Sequence, residues 1–416
     1  MRVAFIINLY PPYIVGGNEM ITHDLVEALR LQGHDIHVLT ARGRKLNHRP
    51  NVHQVLNYDL DEEDSIFRGK KLSSVQLFRH HIFDPTTYRN VREAVTRLRP
   101  NLIAVDNQYM ASAAPLLAVR DAPCPVVAQA MDKWLVYYLV NWEEIAQPST
   151  VHRKLFVKAI RELLQPFIGR AVRLDGIATV SDFIRDYHIQ AGFPPENMRS
   201  VYLGYDSTIF RPGPSHPLHD PVRLLYAGAL WRGKGPQVVV KALEMLNLRE
   251  DLPRFHLHIF GEGTEKFTQY LYEVIDAANA KQEVSLHGFV PWETLAEAMH
   301  EADIFVFSSI WDEPFATVPL QASGCGLPIV ATRAGGTSEA FIDGETALLI
   351  PPGDAEAMAD AISEIARDEE LRQQLGKNAA HNAQEQWTFE AYVNRFWNFC
   401  EDTIRDWHPT EIQDVK

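Results

Sequence analysis

The chain has 416 residues, of which 46% are hydrophobic and 23% are charged, so it is long enough for two or three domains and has an ordinary globular composition. Its net charge of -14 is uneven: residues 1–205 carry 24 Lys and Arg against 21 Asp and Glu, and the remainder carries 16 against 33. An acidic second half argues against nucleic acid as a partner, because binding a phosphate backbone requires clustered Lys and Arg.

Two features of the sequence favour a reducing compartment: no targeting signal is recognisable, and the cysteines are widely spaced. The first residues lack the succession of charged, apolar and small-residue segments of a secretory signal, and no run of about 18 apolar residues could span a membrane. Cys124, Cys325 and Cys400 are far apart in the sequence, which favours buried free thiols over a disulfide framework. We therefore expect a cytoplasmic protein.

The first half of the chain alternates short apolar runs with helical patterns, as βαβ units do. A strand over Val3–Asn8 leads through a loop into a helix over Ile21–Gly33, where Gly33 suits a left-handed helix end. Four further strands are predicted in this half: His37–Thr40, Leu102–Val105, Val126–Gln129 and Gly176–Val180.

The second half repeats this alternation after a proline-rich linker. Asp206–Pro221 contains four prolines and no apolar periodicity, which indicates a linker between domains. A strand over Arg223–Gly228 and a helix near Pro236–Leu246 follow it. Four more strands are predicted: His256–Phe260, Val284–Leu286, Ile304–Phe307 and Pro328–Ala331.

The expected fold class is therefore α/β, with two Rossmann-like doubly wound domains facing a central cleft. Residues 1–205 form the first domain, residues 206–221 the linker and residues 222–388 the second domain. The aromatic-rich tail from about 389 to 416 is predicted to be an amphipathic helix that joins the first domain. In open α/β sheets ligands bind beyond the carboxyl ends of the strands, so chemistry is expected there.

Glycine-rich loops follow the first strand of each domain. In Pro11–Asn18, the paired Gly16 and Gly17 open a helix whose amino end could face an anion, although a tight turn without a ligand explains them equally well. In Gly228–Gly235, Arg232 and Lys234 extend from a glycine-flanked loop, where cations could meet phosphates. A solvated basic turn is the alternative.

The most informative segment is Phe307–Glu339. A buried strand ends here, and Glu313 and Pro314 lead into a helix predicted to begin near Phe315. The backbone amides of Phe315, Ala316 and Thr317 are then expected to be unpaired and to point outward at the positive helix end. Glu313 beside such an end could hold the hydroxyls of a sugar attached to a bound phosphate, or it could simply cap the helix.

These motifs, in chain order, resemble those of family-4 retaining glycosyltransferases, of the glycosyl transferase group 1 type with the GT-B fold. The resemblance covers nearly the whole chain. It rests on YPP, GGN and LVEALRLQGHDIHVLT at the start, and on G-Y-D-x-x-x-F-x-P within Ser181–Pro212. Further on come Y-A-G…K-G, F-G-E-G, L-H-G-F-V, A-D-I-F-V-F-S-S…E-P-F, G-L-P-I-V-A-T…G-G-T-S-E and P-P-G-D.

The resemblance implies roles for individual residues. Lys234 would neutralise the departing nucleotide diphosphate, and Glu313 would contact the donor sugar; these two are the expected catalytic residues. The implied donor-binding residues are Gly16, Gly17, Arg232, Lys234, Gly261, Val290, Glu313, Phe315, Ala316, Thr317 and Gln321. The implied acceptor residues are Asp106, Asn107, Met131 and Asp132.

Three positions depart from the family pattern. Ala229 stands where the family usually has Arg, and Arg232 is the nearest cation that could replace it. Gln321 replaces the second acid of the family's Glu-x7-Glu, and an amide can still accept one hydrogen bond and donate another. Met131 stands where His is common. The first two changes bear on the donor and the third on catalysis or acceptor handling.

Other charged segments have simpler explanations. Tyr58–Asp64 contains a D-x-D, which binds a metal in another transferase class, but here a solvated acidic loop is favoured. The seventeen histidines include no H-E-x-x-H, which predicts no metal and no cofactor. Residues 151–173 carry six Lys or Arg on an apolar-interleaved background; a domain helix is favoured over one that contacts anionic lipid from the cytoplasmic side.

The sequence thus predicts an enzyme, a metal-independent hexosyltransferase. It would transfer a sugar with retention from a nucleotide-diphosphate sugar, UDP- or GDP-linked, to a glycan, a lipid-linked or a small-molecule acceptor, in polysaccharide or glycolipid biosynthesis. Two alternatives stay open. One is a GT-B nucleotide-sugar epimerase or a glycan phosphorylase. The other is a non-catalytic nucleotide-sugar-binding homologue, as Ala229, Gln321 and Met131 would suggest.

Overall fold

A computed structural model describes residues 1–47, 49–61, 74–109, 111–139, 168–214 and 216–408. The chain divides into two compact units. Unit 1 comprises Met1–Val201 and Val393–Lys416, and unit 2 comprises Tyr202–Tyr392. The predicted linker, residues 206–221, belongs to unit 2 because its backbone is held by that unit's own strands and loops, as with the amide of Gly213, which donates to the carbonyl of Cys325.

Unit 1 is built on a seven-stranded parallel sheet. The strand order is β3-β2-β1-β4-β5-β6-β7. Successive strands are therefore added on one side of β1 up to β3 and on the other side from β4 onwards, as in doubly wound folds. The strands are β1 (Arg2–Ile6), β2 (Asp35–Arg42), β3 (Val52–Asp59), β4 (Leu102–Val105), β5 (Val126–Ala130), β6 (Gly176–Thr179) and β7 (Met198–Ser200).

The helices of unit 1 include one from the far end of the chain. Along the chain they are α1 (Gly17–Leu31), α2 (Ser74–His81), α3 (Pro85–Leu98), α4 (Ala114–Ala118), α5 (Trp134–Leu139) and α6 (Asp182–Gln190). The predicted tail helix runs over Phe389–Asp406, and its part beyond Val393 joins this unit: Phe396 packs on Phe5 of the central strand, with ring centroids 6.1 Å apart.

Unit 2 repeats the design with six parallel strands in the order β10-β9-β8-β11-β12-β13. They are β8 (Val222–Ala227), β9 (Phe255–Phe260), β10 (Val284–Gly288), β11 (Ile304–Phe307), β12 (Ile329–Thr332) and β13 (Leu348–Ile350). Its helices are α7 (Pro236–Asn247), α8 (Glu265–Ala277), α9 (Trp292–His300), α10 (Val318–Gly324), α11 (Ala355–Arg367) and α12 (Glu369–Gln386), and the tail helix is α13. Both units are Rossmann-like, so the predicted α/β fold of two doubly wound domains is confirmed.

Three strands, β3, β7 and β13, were not predicted. Each lies at the edge of its sheet. An edge strand has a neighbour on one side only, and it need not be apolar throughout: β3 has buried residues only at Leu56 and Tyr58, and β7 has no buried residue. The central strands, which are buried on both faces, were all predicted from their apolar runs, and the edge strand β10 was predicted as well although none of its residues is buried.

None of the helices in the described part of the chain is both long enough and apolar enough to cross a membrane.

Candidate functional site

In unit 2, the loops after β8 and β11 meet at the carboxyl edge of the sheet. Gly235 lies in the left-handed region, at φ +73°, and a Cβ at this position would lie 1.9 Å from the carbonyl oxygen of Ser308. Only glycine fits, because any side chain would collide with that backbone. The Ser308 hydroxyl also donates to the carbonyl of Lys234 at 3.0 Å. The two loops are thereby held together at backbone distance, with Lys234 between them.

The contact between these loops holds an ion pair. The Lys234 ammonium lies 2.8 Å from Oε1 and 2.9 Å from Oε2 of Glu313. The Ser309 hydroxyl donates to Oε1 of the same carboxylate at 2.7 Å. The Glu313 side chain is 5% exposed and that of Lys234 is 26% exposed, so the carboxylate is enclosed while the ammonium reaches solvent. The structure thus brings together the two residues predicted to be catalytic.

Tyr226, at the end of β8, lies beneath this pair. Burial raises the pKa of the Tyr226 phenol far above its usual range, and the negative charge of Glu313 raises it further. The hydroxyl therefore stays protonated, and it donates to the carbonyl of Ala229 at 3.3 Å. Ala229 stands where the resemblance implies an arginine, and its carbonyl accepts a hydrogen bond from this uncharged hydroxyl.

The segment after Glu313 differs from the prediction. The helix α10 begins at Val318 with Thr317 as its N-cap, so the predicted start near Phe315 is wrong. The amide of Ala316 is also not unpaired, because it donates to the hydroxyl of Thr337 at 2.8 Å. The proline within the first helical turn is Pro319 instead of Pro314, and the helix begins three residues later than predicted.

Gln321 faces the interior from the first turns of α10. Its side chain is buried, and its Oε1 has no hydrogen-bond partner among the residues that the structure describes. A buried acceptor without a donor is costly, and such a group often marks the place of a missing ligand or water. The Oε1 of Gln321 thus keeps an unused acceptor position, at an atom that is itself enclosed by the protein.

The other donor-side residues lie on loops of the same sheet edge. Gly261, with φ +132°, follows β9, and a Cβ there would lie 1.9 Å from the carbonyl oxygen of Gly228 after β8. Val290 is half-buried in the loop after β10, and Arg232 is exposed in a 3-10 turn over Arg232–Lys234. Backbone thus meets backbone at the ends of neighbouring strands, which leaves an edge that a ligand can approach closely.

In unit 1, the glycine loop after β1 is already capped from within. Gly16 is the N-cap of α1, and the Glu19 carboxylate accepts from the amide of Gly16 at 2.7 Å and from that of Val15 at 3.3 Å. The Gly16 amide is therefore occupied in this structure, and an anion at this helix end would have to compete with Glu19 for it. Burial raises the pKa of Glu19, partly offset by these amides.

Two further carboxyl groups lie at the carboxyl ends of β4 and β5. Burial raises the pKa of Asp106 to about 7, against hydrogen bonds from the Thr22 hydroxyl and the Asn107 amide. Burial also raises the pKa of Asp132 to about 6, against hydrogen bonds from the amide of Trp134 and the side chain of Asn18. Both carboxyl groups can exchange a proton near neutral pH, an uncommon property for aspartate.

The remaining predicted acceptor residues are placed differently. The Met131 side chain is only 3% exposed. Asn107 is half-buried, and its side-chain oxygen accepts from the amide of Tyr109 at 2.9 Å. Nothing in the geometry tests the acceptor roles of these residues, which stay predictions.

Sequence reasoning missed four residues that complete these clusters: Ser309 and Thr337 in unit 2, and Glu19 and Thr22 in unit 1. Glu19 could have been found, because an acid three residues after an N-cap is the capping-box spacing. Thr22 and Thr337 reach partners distant in sequence, so no local signal identifies them.

Some predictions fall wholly or partly outside the described residues. Most of the basic segment 151–173 does so, and the domain helix favoured there, like the alternative of a lipid contact, stays a prediction. Of the D-x-D in Tyr58–Asp64, Asp59 ends β3, and Asp61 accepts hydrogen bonds from the Tyr13 hydroxyl and the Arg44 amide.

Two protein families match the chain. Residues 213–382 match the family described as glycosyl transferases group 1, and residues 15–209 match glycosyltransferase family 4. Between them the two matches span most of both units, in the order that the sequence motifs predicted.

Individual relatives fall into two groups. The chain is 37% identical over 190 residues to a D-inositol 3-phosphate glycosyltransferase of Arthrobacter sp. (strain FB24), but this similarity spans only 44% of either protein. It is 26% identical over 395 residues to a glycogen synthase of Mycobacterium tuberculosis (strain H37Rv), spanning 91% of this chain and 89% of the relative. Identity is thus higher over part of the chain than over the whole.

Solved structures share the fold along the whole chain. A glycosyltransferase from Rickettsia africae superimposes with a TM-score of 0.72 at 15% identity, covering 98% of this chain and 99% of that one. Anabaena HepE, solved in complex with UDP, superimposes with a TM-score of 0.69 at 18% identity, covering 97% of this chain and 100% of that one. At such identities the similarity establishes the architecture only.

Proposed function

The chain belongs to the group 1 glycosyltransferases with a family 4 amino-terminal region, and from that premise we propose that it transfers a sugar from a nucleotide-diphosphate sugar to an acceptor with retention of configuration. The observation that carries this proposal is the Lys234–Glu313 pair, held between two strand-end loops of unit 2. A cation and a carboxylate at one point are the groups that a diphosphate with an attached sugar requires.

Lys234 would bind the diphosphate. Its ammonium is partly exposed and lies on a loop fixed at backbone distance by Gly235. As the bond to the sugar breaks, negative charge builds up on the departing diphosphate, and a cation already in position stabilises that charge. Arg232, exposed in the same turn, would add a second positive charge.

Glu313 would hold hydroxyls of the donor sugar. In the absence of donor it accepts from Lys234 and Ser309, which orient its carboxylate and offset the cost of burying it. Arrival of a diphosphate gives Lys234 a new anionic partner, so that Glu313 can accept from sugar hydroxyls instead. The pair thus keeps both groups in position until the donor separates them.

Gln321 would contribute to nucleotide binding. Its buried Oε1, which lacks a partner among the described residues, can accept a hydrogen bond from a ribose hydroxyl. UDP and GDP are the nucleotides that we propose. UDP is supported by its presence in the complex of the structurally similar HepE.

Catalysis is proposed to need no metal, because Lys234 and Arg232 would supply the positive charge that a divalent cation provides in other transferases. On the acceptor side, we propose that Asp132 and Asp106 bind or deprotonate an acceptor hydroxyl, since both have pKa values raised towards neutrality. The acceptor would be a glycan, a lipid-linked sugar or a small polyol. Related proteins named D-inositol 3-phosphate glycosyltransferase and glycogen synthase span such a range.

A non-catalytic nucleotide-sugar-binding protein is the second candidate. The observation in its favour is Ala229, which stands where the resemblance implies an arginine and whose carbonyl accepts from the neutral Tyr226 hydroxyl. Such a protein would bind the nucleotide through the same pair but would not turn the donor over.

The first experiment is a thermal-shift screen of the purified protein, without added metal, against UDP, GDP, ADP and their common sugar conjugates. A ligand at a hundred times its Kd adds about 2.7 kcal/mol to the free energy of unfolding, which is a visible shift. The same screen on Lys234→Ala and on Lys281→Ala provides a matched comparison, because Lys281 is an exposed lysine paired on the surface with Asp276.

A shift with one nucleotide that is lost in Lys234→Ala and kept in Lys281→Ala supports the donor site and identifies the base. Incubating the protein with the corresponding sugar nucleotide then separates the two candidates. Release of nucleoside diphosphate, alone or with an acceptor mixture, supports the enzyme, and binding without release supports the non-catalytic protein. No shift with any nucleotide would contradict both.

A further inference from the structure

A second cluster of ligand-type side chains lies in unit 2, away from the Lys234–Glu313 pair. His216 and His219, in the segment that leads into β8, approach Asp303 at the start of β11. Asp303 directly precedes the amino end of β11, whereas Glu313 follows its carboxyl end. The two clusters therefore lie at opposite edges of the same sheet, and the donor site does not account for this one.

Two of the three distances between ligand atoms are close to those of a tetrahedral metal site, and all three atoms lie within 4.8 Å of one another. Oδ1 of Asp303 lies 3.1 Å from Nδ1 of His219 and 3.6 Å from Nδ1 of His216. Zinc bonded to nitrogen and oxygen at about 2.0–2.1 Å holds neighbouring ligand atoms about 3.3 Å apart in a tetrahedron. The two distances lie on either side of that value.

The carboxylate is fixed from behind. Its other oxygen, Oδ2, accepts from the amide of Arg223 at 2.8 Å, and the Asp303 side chain is only 2% exposed. Nδ1 of His219 lies 3.1 Å from Oδ1 and 3.2 Å from Oδ2, so both oxygens face this histidine, and the Arg223 amide orients the carboxylate as outer contacts orient metal ligands. The histidines stand in the spacing H-x-x-H with Pro217 between them, which limits the freedom of the loop.

A cavity of about 490 Å³ adjoins the cluster, and His216 and Asp303 form part of its wall. A fourth ligand, a water molecule, has room there. Arg372 and Lys377 also line this cavity, so the surroundings do not attract cations in general. Binding would depend on the imidazole ligands themselves, which favours Zn²⁺ or a similar transition ion over Ca²⁺ or Mg²⁺.

We infer that His216, His219 and Asp303 bind a single divalent transition-metal ion such as Zn²⁺. This ion would connect the segment before β8 to the residue that precedes β11. Without a metal, the same atoms make a hydrogen bond between His219 and Asp303 and another between His216 and the carbonyl of Pro217, at 3.0 Å. The inference is independent of the proposed donor chemistry and leaves it metal-free.

The test uses the full chain, stripped with a chelator and dialysed. We expect it to take up one equivalent of Zn²⁺ and to unfold several degrees higher when loaded. Co²⁺ in place of Zn²⁺ should give the visible absorption of a tetrahedral site with nitrogen and oxygen ligands. His216→Ala and His219→Ala should each weaken Zn²⁺ binding at least tenfold. Both side chains are about 30% exposed, so neither variant should disturb folding.

Two control variants locate the site. His381→Ala removes an exposed helix histidine, and His287→Ala removes one of the ring-stacked histidines of β9 and β10. Both should bind Zn²⁺ as the unaltered protein does. Absence of stoichiometric uptake would overturn the inference, and so would uptake that survives in His216→Ala and His219→Ala or is lost in His287→Ala.

Discussion

The two units share the order of their first six strands, but the carboxyl groups near their strand ends differ in whether a cation accompanies them. In unit 2, the buried carboxylate of Glu313 is matched by the Lys234 ammonium, on a loop fixed by a glycine. In unit 1, the carboxyl groups of Glu19 and Asp106 are buried and that of Asp132 is half-buried, and the groups that act on their pKa values are backbone amides, neutral side chains and each other.

This difference shows how one architecture serves two kinds of ligand. A fixed cation with its own counter-charge suits an anionic group that can displace the counter-charge, such as a diphosphate. Carboxyl groups that gain and lose a proton near neutral pH suit neutral hydroxyls, which they can accept from or deprotonate. The strand order places both sets at carboxyl ends, and the side chains then decide the chemistry.

The largest expected effect is on turnover. Lys234→Ala should lower the rate of nucleoside diphosphate release from the sugar nucleotide on the order of 10²- to 10³-fold, because the charge developing on the leaving diphosphate loses its cation. Initial rates with the donor found in the thermal-shift screen would measure this. Lys281→Ala should keep the unaltered rate. A folded Lys234→Ala protein with normal turnover would show that the pair is structural only.

The second effect is on stability. Lys234→Ala leaves the Glu313 carboxylate buried without its cation and should lower the free energy of unfolding by about 3 kcal/mol. The double variant Lys234→Ala/Glu313→Gln removes the orphaned charge as well and should recover part of the loss. Denaturant unfolding of the two variants gives the difference. If the single and the double variant lose the same free energy of unfolding, water must stabilise the unpaired Glu313 carboxylate in the single variant.

The third effect sharpens the comparison from the side of unit 1. Asp106 has a folded-state pKa of about 7, raised by burial from 3.8. The folded protein therefore binds this proton more tightly than the unfolded chain does, and stability that is present below about pH 4 is lost as the pH rises towards 7. Asp106→Asn should escape that loss and be more stable than the unaltered protein at pH 8, on the order of 2 kcal/mol.

Thermal unfolding of both proteins from pH 4 to pH 8 would measure this. The two curves should converge near pH 4, separate progressively as the pH rises towards 7, and run parallel above it. Glu19 and Asp132 still titrate in Asp106→Asn, so part of the pH dependence should persist. Parallel curves across the whole range would show that Asp106 is not protonated in the folded state at neutral pH.

The smallest expected effect concerns Gln321. Gln321→Glu restores the acid of the family pattern and should tighten binding of the nucleotide about three- to tenfold, because a charged acceptor makes a stronger hydrogen bond to ribose than an amide does. Titration calorimetry with UDP or GDP would measure it, and the 2′-deoxy nucleotide should lose the gain. Weaker binding by Gln321→Glu would mean that this side chain does not face the ribose.

Much of the fold could be predicted because local pattern and local structure agree. Most central strands are buried apolar runs, and glycine loops follow β1, β8, β9 and β12, so these strands and their ends could be predicted from the sequence alone. The edge strands β3 and β13 could not, because their residues are only partly buried and carry no continuous apolar run. The predicted start of α10 was wrong because either of two prolines, Pro314 and Pro319, could occupy the first turn of a helix, and the sequence does not distinguish them.

The candidate site divides in the same way. The sequence by itself determined which residues stand at strand ends, including Lys234, Gly261 and Glu313, since parallel strands carry their carboxyl ends to one edge. Only the tertiary structure decided the pairings, because they join atoms remote along the chain. Lys234 meets Glu313 across 79 residues, Thr22 meets Asp106 across 84, and His219 meets Asp303 across 84. The local sequence pattern carries no information about pairs so far apart along the chain. They form because the packing of strands and loops brings their atoms together.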